Sequence, residues 1–128
     1  MTGVLLDTHV ALQVLGDDPR LGTRARECIL DAPRIMLSVA SVWELAIKHA
    51  VGKFPDPRPV VTAARAAAIE ILPITADHAL AIDGLDLPHR DPFDRLLVTQ
   101  ARVEGAAFLT NDAAILSAGL AAVLDARQ

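Results

Sequence analysis

The sequence predicts a three-layer α/β/α domain built on a central, mostly parallel sheet of four to five strands. Two observations carry that expectation. Short apolar runs alternate with helical patterns along the chain. That order suits a parallel sheet with helices on both faces, and right-handed crossovers then sort the helices into two layers. The apolar material is 52% of 128 residues with only 3% aromatic. It is dominated by alanine, leucine and valine, small side chains that let helices pack closely on a sheet. The length fits a single domain over 1–128. No repeat, low-complexity stretch or linker divides it.

The elements follow in order. "VLL" (Val4 to Leu6) is a short apolar run ending in an acid, followed by the helical pattern "THVALQVL". "DDPRLG" is a turn, and "TRARECIL" is a second helix with Thr23 placed to cap it. "RIMLS" (Arg34 to Ser38) is the next buried strand. In "SVWELAIKHAVG", Ser41 is positioned as a cap, Glu44 stands three residues on as in a capping box, and Gly52 closes the helix. "KFPDPRP" is a proline-rich connection to the helix "VVTAARAAAI", and "EILPIT" carries a third strand. "TADHALAIDGL" is a helix started by Thr75, and "DLPHRDP" is a loop. "PFDRLLVTQARVEG" opens with Pro92 at its first helical position. "AAFLTND" is a fourth strand, a short helix follows, and "AAVLDA" is a candidate edge strand.

Charge and cysteine content narrow the function. A net charge of −4 and an acidic pI near 5.4 argue weakly against broad electrostatic capture of nucleic acid. They leave room for a nucleic-acid enzyme whose carboxylates are gathered in a metal site. The single cysteine, Cys28, makes no internal disulfide and no thiolate cluster, and its helical setting reads as a buried, inert thiol. The expected compartment is the cytoplasm. "MTGVLLDTH" has no signal-peptide pattern, and no apolar run reaches the roughly 20 residues that span a bilayer.

The acids carry the chemistry. Asp7 follows the first strand, Asp112 lies two residues past the fourth, Glu44 is in the helix after the second strand, and Asp94 is in the first turn before the fourth. Ligands of such sheets bind beyond the carboxyl ends of the strands, where all four acids can converge. Converging carboxylates repel, and a divalent cation relieves the repulsion. Hard oxygen ligands suit Mg2+, with Mn2+ a plausible substitute. Such an ion lowers the pKa of water and stabilises charge on a phosphodiester under attack. His9, His49, His78 and His89 lack metal-site spacing, and no serine–histidine or cysteine–histidine arrangement competes.

Each acid also has a plainer role. Asp7 can end a strand or cap a helix, and Glu44 can serve the Ser41 capping box or pair with Lys48. Asp94 and Asp112 are acids that a helix dipole favours. Asp91 reads mainly as an N-cap before Pro92, with Arg95 as a possible ion-pair partner.

"LLDTHVAL", "SVASVWELAIKHAVGKF", "LPHRDPFDRLLVTQA" and "FLTND" resemble the blocks of PIN-domain proteins, especially the VapC-type toxins of toxin–antitoxin pairs. The blocks stand in the family's order and spacing from Leu5 to Asp112. The resemblance implies a compact PIN-like α/β/α fold, an acidic Mg2+ pocket and endoribonuclease activity. By position, Asp7, Glu44, Asp94 and Asp112 match the family's four acids, as catalytic and metal-holding residues, with Asp7 and Asp94 the strongest direct ligands. Thr8, Thr110 and Asn111 beside the acids, and Arg90 and Arg95 beside the third, are candidate substrate contacts; His89 shares that setting. Lys48 and Lys53 read as surface charges, and Trp43 as a core or interface anchor rather than a base-stacking platform. The resemblance further implies a homodimer, a VapB-like antitoxin over the active-site groove, and an RNA substrate. Two rivals stay open beside it: a non-catalytic PIN-fold binding module, and DNA as substrate. A phosphorelay receiver fits poorly, because only Asp7 follows the first strand and "RIMLS" ends in serine.

Overall fold

In the computed structural model, which describes residues 2–88 and 91–128, strands and helices alternate from the start. The order is β1 (Val4–Leu6), α1 (Thr8–Leu15), α2 (Thr23–Asp31), β2 (Ile35–Ser38), α3 (Val39–Ala50), α4 (Arg58–Ala66) and β3 (Glu70–Leu72). Then come α5 (Ala76–Leu80), a 3-10 turn (Ala81–Gly84), α6 (Pro92–Val103), β4 (Ala107–Thr110), α7 (Ala113–Ser117) and β5 (Val123–Asp125). All five strands run parallel in the order β3-β2-β1-β4-β5, so "AAVLDA" does supply an edge strand.

Side chains alternate across a strand, and this sequence makes both faces apolar. Val4, Leu6, Leu37, Ala107 and Leu109 face one core with Val10, Ala25, Ile29 and Ala64 of the helices α1, α2 and α4. Leu5, Met36 and Phe108 face the other, with Ala40 of α3, Leu97 and Val98 of α6, and Ile115 of α7. The three-layer architecture follows directly. Strand succession also reverses at β1: β2 and β3 are laid on one side of it, β4 and β5 on the other. The resulting switch point lies between β1 and β4, where the crevice of an open parallel sheet forms.

Several helix starts differ from the sequence expectation. Ser38, the last residue of β2, caps α3 by accepting the Ala40 amide, so Ser41 is not the cap and Glu44 is not its capping-box partner. Strand passes straight into helix there, and "VAS" is already helical. Gly22 precedes α2 and Thr23 is its first helical residue, so the Thr23 hydroxyl caps nothing. The stretch after Thr75 is a five-residue α-helix continued by the 3-10 turn rather than one helix. Thr75 does start it, in a capping box with His78. Gly52, with φ +76°, ends α3 as expected. Cys28 is half-buried, and burial pushes its thiol pKa up, away from thiolate reactivity. Trp43 is 58% exposed and therefore no core residue.

Gly22 shows how tightly the chain end is seated. Its amide donates to Ala126 O at 2.8 Å, the Ala25 amide donates to Gln128 O at 2.9 Å, and a Cβ on Gly22 would stand 2.1 Å from the Gln128 main chain. Gly22→Ala is expected to destabilise the protein by about 1–3 kcal/mol through this overlap. Urea unfolding measures it; an unchanged midpoint would mean that the Gln128 main chain moves aside freely.

Candidate active site

Register brings the first and last acids together. Leu6 of β1 pairs with Leu109 of β4, and the Asp7 amide donates to Leu109 O at 2.9 Å, so Asp7 and Thr110 leave their strands side by side. Asp7 is buried at 6% exposure and caps α1, its Oδ1 accepting the Thr8 amide at 2.7 Å. Its Oδ2 accepts from Thr110 Oγ1 at 2.6 Å. Thr110 Oγ1 in turn accepts the Asp112 amide at 3.0 Å. One hydroxyl thus ties the loop carrying the fourth acid to the first. Asp112 caps α7, its Oδ1 accepting the Ala114 and Ile115 amides at 2.9 and 3.1 Å.

A second hydroxyl ties in Glu44. Thr8 Oγ1 lies 2.8 Å from Ser41 Oγ and 3.1 Å from Glu44 Oε1. An ionised carboxylate only accepts, so the Thr8 proton goes to Glu44 and Ser41 donates to Thr8. Glu44 also pairs with Lys48 at 3.7 Å, one turn along the same helix. At the carboxyl edge of the sheet Asp7 is therefore linked to the Asp112 main chain through the Thr110 hydroxyl, and to Glu44 through Thr8, whose amide donates to Asp7 and whose hydroxyl donates to Glu44. Asp94 sits half-buried in the first turn of α6, where the helix dipole favours an acid. Phe93 beside it meets Trp43, the neighbour of Glu44, edge-on at 5.4 Å between ring centroids. That contact sets the α6 turn against the α3 turn, but no hydrogen bond joins Asp94 to the three tethered acids. Asp91 caps α6 through the Phe93 and Asp94 amides.

Burial pushes the Asp7 carboxyl above its ordinary pKa, against the pull of the Thr110 and Thr8 hydrogen bonds and the charge of His9; Asp112 adds to the rise. None of the ion pairs among the described residues includes Asp7. A buried carboxylate without a lysine or arginine partner, next to two more acids, has the chemistry of a hard-cation site. Among the described residues, no three His, Cys, Asp or Glu side chains stand close enough together to grip one ion directly. The donor set still fits magnesium, which keeps several waters and takes only one or two carboxylates.

The expected substrate contacts divide. Thr8 and Thr110 are buried, and their hydroxyls are committed to the acids, so they hold carboxylates instead of facing a substrate. Asn111 is half-exposed at the mouth of the site. Arg95 donates from Nη1 to Leu87 O at 2.6 Å, anchoring the loop before α6. Arg90 and His89 lie outside the described residues.

Sequence reasoning missed the support beneath. Gln100 of α6 is fully buried: Oε1 accepts a short hydrogen bond from Ser38 Oγ at the end of β2, and Nε2 reaches Pro73 O at 3.3 Å and His78 Nδ1 of α5 at 3.2 Å. The Thr75 amide also donates to His78 Nδ1, which fixes the ring proton on Nε2, where it meets Glu104 Oε2 at 2.9 Å. The only signal was a glutamine inside the apolar run "LLVTQA".

Comparison with known proteins agrees with this architecture. The family model described as PIN domain matches residues 4–119. No curated protein matches the chain in sequence. Among solved structures, the chain is similar to VapBC from Salmonella typhimurium bound to DNA, at 18% identity over 98% of each chain and a TM-score of 0.66. It is also similar to VapBC2 from Rickettsia felis bound to a DNA fragment from their promoter, at 17% identity over 95% of this chain and 96% of that one, TM-score 0.63. FitAcB from Neisseria gonorrhoeae follows at 19% identity, 95% of each chain and 0.56. At these identities the likeness is one of fold.

Proposed function

Given that the chain belongs to the PIN-domain family, we propose that it is a metal-dependent endoribonuclease, the VapC-type toxin of a toxin–antitoxin pair. The observation that carries this reading is the threonine-tethered group of Asp7, Glu44 and Asp112 at the β1/β4 switch point, with Asp7 buried and in no ion pair among the described residues. Asp7 and Asp94 would hold a Mg2+ ion, or Mn2+ in its place, with Glu44 and Asp112 reaching it through water. When bound, such an ion lowers the pKa of water and neutralises charge on the phosphate.

The protein's own part is positional. Thr110 fixes Asp7 and the Asp112 loop together, and Thr8 with Ser41 fixes Glu44. Glu44 and Asp112 are the groups left to orient water and accept its proton, while Arg95 and Arg90 lie on the segment that would meet substrate phosphate. Prealigned carboxylates need no reorganisation as charge develops.

The neighbours named VapBC are toxin–antitoxin complexes, which supports a VapB-like antitoxin as partner here; a homodimer and a cytoplasmic setting complete the proposal. The outer face of α3 exposes Val39, Trp43, Ile47 and Val51 at four-residue spacing, an apolar ridge suited to a protein partner. No helix among the described residues is long and apolar enough to cross a membrane.

Cellular RNA incubated with antitoxin-free protein is the direct test. Discrete fragments are expected with Mg2+ or Mn2+ and none with chelator. Intact RNA under metal would sink the ribonuclease reading, and cleavage of DNA alone would keep the metal chemistry and change the substrate.

A further inference from the structure

Beside the acids, a cleft of about 360 Å³ opens along α1. His9, Leu12, Gln13 and Gly16 line it at i, i+3, i+4 and i+7, one continuous face of the helix that begins at Asp7. Asn111, between Thr110 and Asp112, lines it as well, as do Asp18 and Arg20 just past the end of α1. Two of its lining residues are chain neighbours of the acidic site, His9 following Thr8 and Asn111 preceding Asp112.

The lining discriminates between ligands. Arg20, the one arginine lining the cleft among the described residues, is already engaged by Asp18, with Nε at 3.1 Å from Oδ1 and Nη2 at 2.6 Å from Oδ2. Gln13 and Asn111 each present a carboxamide, a donor and an acceptor side by side, and neither has a side-chain hydrogen bond among the described residues. Leu12 and Gly16 add an apolar strip, and the exposed His9 ring is a surface on which a base can stack. Paired amide edges, an apolar strip and a stacking ring match a nucleobase better than a phosphate or an apolar peptide. The volume falls in the range of ligand clefts, about 300–1,000 Å³.

We propose that this cleft receives the nucleobase next to the scissile phosphate, with Gln13 and Asn111 reading its edge, so that the substrate is an unpaired stretch of RNA cut with a base preference. The proposal rests on the ribonuclease reading and adds the subsite to it. An unpaired base is required because pairing hides the edge that the amides would contact.

The test compares the unaltered chain with Gln13→Leu and Asn111→Ala on a sequence-randomised single-stranded RNA oligonucleotide with Mg2+. Fragment ends from the unaltered chain should show a preferred base at one position beside the cut. Each variant should flatten that preference and raise KM about tenfold or more, with kcat within about twofold, as expected for loss of base-edge contacts. Unchanged preference and KM in both variants would overturn the subsite while leaving the nuclease intact. If the unaltered chain cuts no RNA, the ribonuclease reading fails by itself. Binding of the same labelled RNA to Asp7→Asn, with and without Gln13→Leu, then decides the subsite: weaker binding with Gln13→Leu supports it, and equal or absent binding overturns it.

Discussion

Asp7→Asn is expected to lower RNA cleavage by a factor of about 10³ or more while leaving the protein at least as stable as the unaltered chain. The two effects share one cause. Burial raises the Asp7 pKa, so between its ordinary and its raised value the folded chain holds a proton there that the unfolded chain has already lost. The ionised side chain therefore opposes folding above its raised pKa, and the opposition disappears below the unfolded value. Asparagine is never ionised. Its carbonyl can keep the Thr8 amide bond and its NH2 group can donate to Thr110 Oγ1, which turns to accept. Thermal melts at several pH values check the stability half: the excess stability of Asp7→Asn should grow as pH rises from the ordinary carboxylate value through the raised one. Loss of both fold and activity would assign Asp7 a structural role instead. Full activity in the variant would remove it from the site.

The contrast with the rest of the chain explains what the sequence could reveal. The alternation of "VLL", "RIMLS", "EILPIT" and "AAFLTND" with helical stretches was enough for a parallel sheet, because strands buried on both faces must be apolar throughout. The same alternation placed Asp7 and Asp112 at strand ends, where ligands bind. What it could not show was which hydroxyl serves which acid. Ser38 and Ser41 are three residues apart and chemically alike, yet one caps α3 and the other supports Thr8 and Glu44. The choice depends on how directly β2 turns into α3, a tertiary matter that local propensity does not encode. Thr8 and Thr110 look like surface polar residues until the register of β1 and β4 buries them against the acids. The cleft on α1 was equally hidden, since Gln13 and Asn111 come to line one cleft only in the folded chain.

The largest stability effect is expected at Gln100, which no sequence pattern marked. Replacing it with leucine keeps the volume and removes every polar atom, leaving the Ser38 hydroxyl and Pro73 O without their partner and His78 Nδ1 with the Thr75 amide alone. Stranding a buried polar group costs about 1–3 kcal/mol; the Ser38 hydroxyl is buried whereas Pro73 is exposed and its carbonyl can turn to water, so Gln100→Leu should lose about 2–3 kcal/mol. The loss has a catalytic consequence. Gln100 links Ser38, the cap of the helix that bears Glu44, to the helix that bears Asp94, so loosening it lets the two acids drift independently. Cleavage by the folded fraction should therefore fall, in kcat more than in KM, because binding surfaces along α1 are untouched. Urea unfolding of Gln100→Leu, Ser38→Ala and the double variant isolates the coupling: the double change should cost clearly less than the two single changes added, since the first already breaks the shared bond. Strict additivity would mean that Ser38 and Gln100 act separately, and that α3 and α6 are held in place by their apolar packing alone.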